Sequence, residues 1–354
     1  MAASSGGRVG GAPTLGTSPD RNAGGCAGRG AERWTDCDLE SSCAPRRPPA
    51  PVTLRALVTG AGGFVGRHLT KHLSEAGDEV ATTDFSIDRI DVTDPAAFLD
   101  LLARVRPEVI YHLAGASDVG GSWSAPHETF RSNADGTLNV LWAARKVGVE
   151  RILTIGSADV YGRVTPADLP LTEESPLRPV SPYAASKVAA DAVAEQAFLG
   201  FGQQVVRTRP FNHLGPGQSD KFVAPALAAR IVAAERSGEL ELRVGNLSPK
   251  RDFTDVRDVV RAYRLLVEHG RAGAAYNVCS GTAIAIEQLA VVMIDLSPAD
   301  LELVSDPDLQ RAIDIPVLVG DASRLHSDTS WRPEIPFDRT LADLLEDARS
   351  RVSA

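Results

Sequence analysis

No run of apolar residues in this sequence approaches the ~20 needed to cross a bilayer, which argues against a membrane-spanning chain. Cysteine is scarce. Cys26, Cys37 and Cys43 lie near the N-terminus, Cys279 stands far from them, and no CxxC pair marks a metal site or a disulfide framework. The expectation is therefore no metal and a reducing, cytoplasmic location. Positive charge is also in deficit. A net charge of −9 over 354 residues makes a nucleic-acid-binding surface a poor expectation. What remains is ordinary for a soluble globular chain, with 43% hydrophobic and 23% charged residues.

The opening stretch lacks apolar periodicity. MAASSGGRVGGAPTLGTSPD is rich in Gly, Ser and Ala, and CAPRRPPAP closes the region with prolines. Such a composition cannot bury enough apolar surface to offset the entropy of ordering, so residues 1–52 are predicted to be a disordered tail. The continuous apolar core of a secretory signal is missing, and Asp20, Glu32, Asp36, Asp38 and Glu40 argue against a transit peptide.

From Leu54 the pattern becomes regular. LRALVT, EVATTD, VIYHLAG, RILTIGS and QVVRTRP are short apolar runs suited to buried strands, and each of the first four is followed by a stretch with helical spacing. The longest of those stretches, HETFRSNADGTLNVLWAARKVG, predicts a single helix. Alternation of this kind means βαβ units. The expected fold is α/β, a Rossmann-type doubly wound parallel sheet over residues 53–210, completed by a strand near 275–279. Residues 211–354 should form mainly a smaller lobe over the strand C-termini, where ligands bind in such sheets.

Three motifs carry chemistry. GAGGFVG sets Gly60, Gly63 and Gly66 between the first strand and the first helix, with Phe64 and Val65 opening that helix. The glycines allow a tight turn, close approach of a pyrophosphate and close helix packing, while the helix start supplies free amides. Asp84 ends the second strand, where a carboxylate accepts bonds from an adenine ribose and repels a 2′-phosphate; this favours NADH within an NAD(P)H-dependent reading, with Arg89 nearby as a counterweight. Asp91 and Val92 should meet the adenine. Finally, SPYAASK sets Tyr183 and Lys187 on one helix face, and Ser157 ends the fourth strand. An ammonium beside a phenol is expected to lower its pKa from ~10 toward working pH, giving an acid/base for hydride chemistry.

Together these residues resemble the extended short-chain dehydrogenase/reductase superfamily, in its nucleotide-sugar epimerase/dehydratase branch. HLAGAS, with Leu113, Ala114, Gly115 and Ser117, matches the branch's third-strand motif. The resemblance implies that Leu113, Ala114 and Gly115 line the cofactor together with the glycine turn, Phe64, Val65, Asp84, Asp91, Val92, Tyr183, Lys187 and Pro210, and that Ser117 meets the substrate. The resemblance implies that Ser157 polarises a sugar keto oxygen, Tyr183 is the acid/base and Lys187 holds the nicotinamide ribose. The 4,6-dehydratases of the branch carry Thr-Asp-Glu before the VYG. This chain has Ser157-Ala158-Asp159, and Ala158 can supply neither the acid nor the base that water elimination needs.

RPFNHLGPGQSDKFV and VGNLSPKRDFTDVRDVVRAY are most similar to the GDP-4-dehydro-6-deoxy-D-mannose reductases. That likeness implies NAD(P)H-dependent reduction of a 4-keto sugar nucleotide to GDP-D-rhamnose by a cytoplasmic homodimer. It places Asn212 and Arg251 against the substrate pyrophosphate, and Arg311 and Asp314 near the nucleotide ribose. A 4-epimerase, a GDP-mannose 4,6-dehydratase and a non-catalytic cofactor-sensing scaffold are the alternatives.

Overall fold

Each short apolar run beyond Leu54 is a strand, and a helix returns the chain to the start of the next. A computed structural model describes residues 53–306 and 315–353; the expected tail, Arg311 and Asp314 lie outside the described residues. The first half runs β1 (Arg55–Thr59), α1 (Phe64–Glu75), β2 (Glu79–Thr83), α2 (Phe85–Asp88), α3 (Pro95–Val105), β3 (Val109–His112), α4 (Pro126–Phe130), α5 (Gly136–Val147), β4 (Arg151–Ile155), α6 (Pro182–Phe201) and β5 (Val205–Pro210). The second half runs β6 (Asn212–Leu214), α7 (Val223–Ser237), β7 (Glu241–Val244), β8 (Lys250–Asp255), α8 (Val256–His269), β9 (Ala275–Val278), β10 (Ala283–Ala285), α9 (Ile286–Asp295), β11 (Glu302–Ser305), β12 (Val317–Leu318), α10 (Ser323–Thr329) and α11 (Phe337–Ser353).

The main sheet has the order β2-β1-β3-β4-β5-β9, with every neighbouring pair parallel. Its alternation shows why both faces are covered. Val58, Tyr111, Leu153 and Val206 face a core shared with Leu69, Tyr263 and Leu266 from α1 and α8. Leu57, Ile110, Ile152 and Val205 face the opposite core with Phe98, Val140 and Ala194 from α3, α5 and α6. This is the α/β doubly wound parallel arrangement. A separate core of Leu227, Ile231, Phe253, Leu289 and Leu344 holds the second lobe, where β8 pairs with β6, β10 and β12 and β11 pairs with β7. PKRDFTD lies mostly in strand β8. No helix among the described residues is long and apolar enough to cross a membrane.

One element departs from the sequence reading. The helix predicted from His127 to Gly148 is divided into α4 and α5 by a π turn at Arg131–Asp135. The wider turn carries Asn133 inward, where its Nδ2 donates to the Ala116 carbonyl at 3.2 Å and to Ser186 Oγ at 2.9 Å. Such turns commonly mark functional places on helices. The other surprise is a buried ion network. Arg207 and Arg209, on one face of β5, both reach Asp191 of α6 at 2.8 Å.

With two guanidiniums left facing an empty place, Asp191→Ala should lower the unfolding free energy by ~3–5 kcal/mol. Urea denaturation followed by circular dichroism measures it, and a loss under 1 kcal/mol would show that solvent reaches the pair.

Candidate active site

The parallel sheet delivers the ends of β1 to β5 to a single edge, and a cavity of about 1610 Å³ opens there between the sheet and the second lobe. Its floor is the glycine turn. Gly60 has φ +70, and a Cβ there would lie 2.7 Å from the Ala114 amide nitrogen; at Gly66 a Cβ would lie 2.2 Å from the Gly60 carbonyl oxygen. Only glycine fits either place. The first intrahelical bond of α1 runs from Arg67 N to Gly63 O, so the amides of Phe64, Val65 and Gly66 come before it, in a first turn without acidic residues. That donor set suits a pyrophosphate.

Around this floor, Gly63, Phe64 and Val65 share the cavity wall with Asp84, Asp91 and Val92, and with Leu113, Ala114, Gly115 and Ser117 after β3. Asp84 also caps α2: its Oδ1 accepts from Ser86 N at 2.8 Å and Ser86 Oγ at 2.5 Å. Both bonds fall on one oxygen, so the cap and a cofactor contact are compatible. Pro210, Asn212 and Arg251 line the far wall. The Arg251 guanidinium donates to the carbonyls of Lys250 and Ile315, at 2.9 and 2.6 Å. These residues fit an NAD(P) dinucleotide beside a second, polar ligand. Every proposed site residue among the described ones lines this cavity.

Ser157, Tyr183 and Lys187 all line this cavity. Ser157 keeps a turn role as well, since its Oγ caps a short 3-10 helix by accepting from Asp159 N at 3.1 Å. Ser181 accepts from Ala184 N and starts α6, which lays Tyr183 and Lys187 along one buried face. Lys187 Nζ donates to the Ile155 carbonyl at 3.0 Å and lies 6.0 Å from the Tyr183 ring centre.

Here the expected lowering of the Tyr183 pKa is overturned. Burial pushes the phenol up, the Asp159 carboxylate adds to the rise, and only the Ser157 hydroxyl opposes it. The ammonium is spent on a carbonyl rather than on the phenolate oxygen, and desolvation outweighs it. Burial also brings Lys187 down to about 8. Asp159 is raised by burial, against the pull of Arg251 and Ser157. The site therefore holds a neutral phenol.

Some lining residues carried no signal in the sequence. Tyr263 reaches the cavity from α8 with a buried hydroxyl that has no hydrogen-bond partner among the described residues. His213 lines the cavity with its ring stacked on Phe64, 6.1 Å between centres. Asn133, behind the lining, is brought to Ala116 and Ser186 only by the π turn.

The comparisons agree with this geometry. Residues 56–279 match the NAD dependent epimerase/dehydratase family. The GDP-6-deoxy-D-mannose reductase of Pseudomonas aeruginosa is 41% identical over 304 residues, 85% of this chain and 99% of that protein. The UDP-glucose 4-epimerase of Mycolicibacterium smegmatis is 29% identical, over 84% of this chain and 99% of its own length. Among solved structures, RMD from Pseudomonas aeruginosa complexed with NADPH is 40% identical with a TM-score of 0.79, covering 84% of this chain and 100% of that one.

A lysine with a pKa of about 8 is charged below that pH and neutral above it. We expect kcat/KM for the dinucleotide to fall as pH rises through about 8, and Lys187→Arg to be slower but free of that fall, because a guanidinium does not titrate there. A basic limb that persists in Lys187→Arg would belong to another group.

Proposed function

The chain belongs to the NAD dependent epimerase/dehydratase family, and from that premise we propose that it reduces the 4-keto group of GDP-4-dehydro-6-deoxy-D-mannose with NAD(P)H to give GDP-D-rhamnose. The observation that carries this reading is that Ser157, Tyr183 and Lys187 line one cavity with the glycine turn, with Ala158 where elimination would need an acid. Likeness to a GDP-6-deoxy-D-mannose reductase supports the choice of substrate.

The dinucleotide supplies the hydride when bound. Ser157 Oγ donates to the C4 oxygen as negative charge grows there, and Tyr183 gives that oxygen its proton. With its pKa raised by burial, the phenol holds its proton until charge develops on the C4 oxygen. The Lys187 ammonium holds the nicotinamide ribose. Asn212 and Arg251 bind the substrate pyrophosphate, Arg251 through a fork that suits phosphate oxygens; for Arg311 and Asp314, outside the described residues, a role at the nucleotide ribose rests on the family likeness alone. In this reading residues 53–210 bind the dinucleotide and 211–354 mainly the sugar nucleotide. Exposed Leu138, Trp142, Leu199 and Phe201 on α5 and α6 support a homodimer, which sedimentation equilibrium tests. The free, buried thiol of Cys279 supports a cytoplasmic location, checked by cell fractionation.

The direct assay supplies GDP-4-dehydro-6-deoxy-D-mannose with NADH or NADPH and follows absorbance and product sugar. Cofactor oxidation matched by GDP-rhamnose is the expected result. Protein that purifies with NAD and consumes none would be a 4-epimerase instead. In that assay Ser157→Ala should lower kcat by ~10²–10³, the size of one lost oxyanion donor, with cofactor affinity nearly unchanged. Tyr183→Phe should cost at least as much.

On cofactor choice, the Asp84 carboxylate supports NADH, whereas the solved Pseudomonas relative holds NADPH. Asp84→Ala should raise kcat/KM for NADPH relative to NADH by removing a repulsive charge from the ribose end. An unchanged ratio would show that Asp84 serves only as the cap of α2.

A further inference from the structure

Beneath the cavity floor, buried polar groups form a directional chain. Ala114 N donates to Thr59 Oγ1 at 3.1 Å, Thr59 Oγ1 lies 2.9 Å from His112 Nδ1, and His112 Nε2 lies 3.1 Å from Thr137 Oγ1. Thr137 Oγ1 in turn donates to the Asn133 carbonyl at 2.7 Å. Thr59, His112, Thr137 and Asn133 are all buried, so water cannot substitute for any of these bonds.

The two ends fix every proton. The Asn133 carbonyl can only accept, so the Thr137 hydroxyl must donate to it and must accept from the histidine. His112 Nε2 therefore carries the proton. Burial and the Lys187 charge push this imidazole down to about 3, so it stays neutral and Nδ1 is an acceptor. The Thr59 hydroxyl fills that acceptor, and its oxygen receives the Ala114 amide. Beyond Asn133, the side-chain Nδ2 donates to Ala116 O and Ser186 Oγ, and Ser186 Oγ donates to the Tyr183 carbonyl at 2.7 Å.

We infer that His112 is a positioning residue, a singly protonated bridge that locks the cofactor-lining loop after β3 to the π turn and, through Asn133 and Ser186, to the helix carrying Tyr183 and Lys187. Thr59 directly precedes Gly60, so the same bridge fixes the glycine turn. The consequence is coupling: the place of the dinucleotide and the place of the proton donor are set together. Two hydroxyls facing a neutral imidazole, one at each ring nitrogen, would have no purpose in a merely hydrophobic core, where leucine would fill the space without need of partners. This inference rests on the dinucleotide-dependent reading given above.

The test uses the full chain and two readouts. Nitrogen-15 spectra of the cofactor-free protein, with the His112 signals identified by their loss in His112→Gln, should show the proton on Nε2. Kinetics should then separate the variants. His112→Leu is expected to raise the KM for NAD(P)H and lower kcat, each about tenfold, the scale of one buried hydrogen bond. His112→Gln, whose carboxamide offers one acceptor and one donor, should recover most of both. Thr137→Val, nearly equal in shape, should show the same paired loss, and it stands in if His112→Leu does not fold. A proton on Nδ1 would overturn the inference, as would wild-type kcat and cofactor KM in folded His112→Leu or Thr137→Val. Glutamine performing no better than leucine would also overturn it. Wild-type protein that binds no dinucleotide would instead sink the functional reading itself.

Discussion

Every neighbouring pair of strands in the main sheet is parallel, and the site depends on that constraint. Parallel strands must be joined by crossovers, so all strand ends of one polarity gather at one edge. Gly60, Asp84, Leu113, Ser157 and Pro210 follow five successive strands, or end one, and they share a cavity for this reason alone. The second lobe, built on its own core around Ile231 and Leu289, supplies the opposite wall through β8 and Arg251.

Within that edge, desolvation decides protonation. Three titratable groups sit side by side, and burial moves each toward its neutral form: Tyr183 up, Lys187 down to about 8, His112 down to about 3. The Asp159 carboxylate adds to the rise at Tyr183 and the Lys187 charge to the fall at His112; only the Ser157 hydroxyl opposes, at Tyr183. Each pKa unit corresponds to ~1.36 kcal/mol, so these shifts are large beside a single hydrogen bond. The adjacent Ala158, itself buried, supplies no acid at the position that the 4,6-dehydratases of the branch fill with one.

Much of this was legible in the sequence, for physical reasons. Strands β1 to β5 are short apolar runs with a period that separates them from the helices, and the spacing of Gly60, Gly63 and Gly66 reports a steric need that no other residue meets. Tyr183 and Lys187 at i and i+4 were readable because a helix puts such pairs on one face. What escaped depends on packing between distant segments. The π turn at Arg131–Asp135 has no composition signal, and the direction of the Tyr183 shift required knowing how deeply α6 is buried. His112 looked like one residue of a strand, and its role appears only when Thr59 and Thr137 close on it from two other elements. Asp84 is both a cap and a cavity residue, a combination that its position alone does not reveal.

The account stands on net transfer of a hydride from the dinucleotide to a sugar carbon, with Tyr183 giving the proton to the oxygen. Isotope transfer from the dinucleotide tests that claim most directly: NAD(P)H carrying deuterium at the transferable position is incubated with the 4-keto sugar nucleotide, and the product is examined by proton NMR. The account predicts one deuterium at C4 of a GDP-6-deoxyhexose for each dinucleotide oxidised. Product without deuterium, formed while the dinucleotide pool stays reduced, would contradict it.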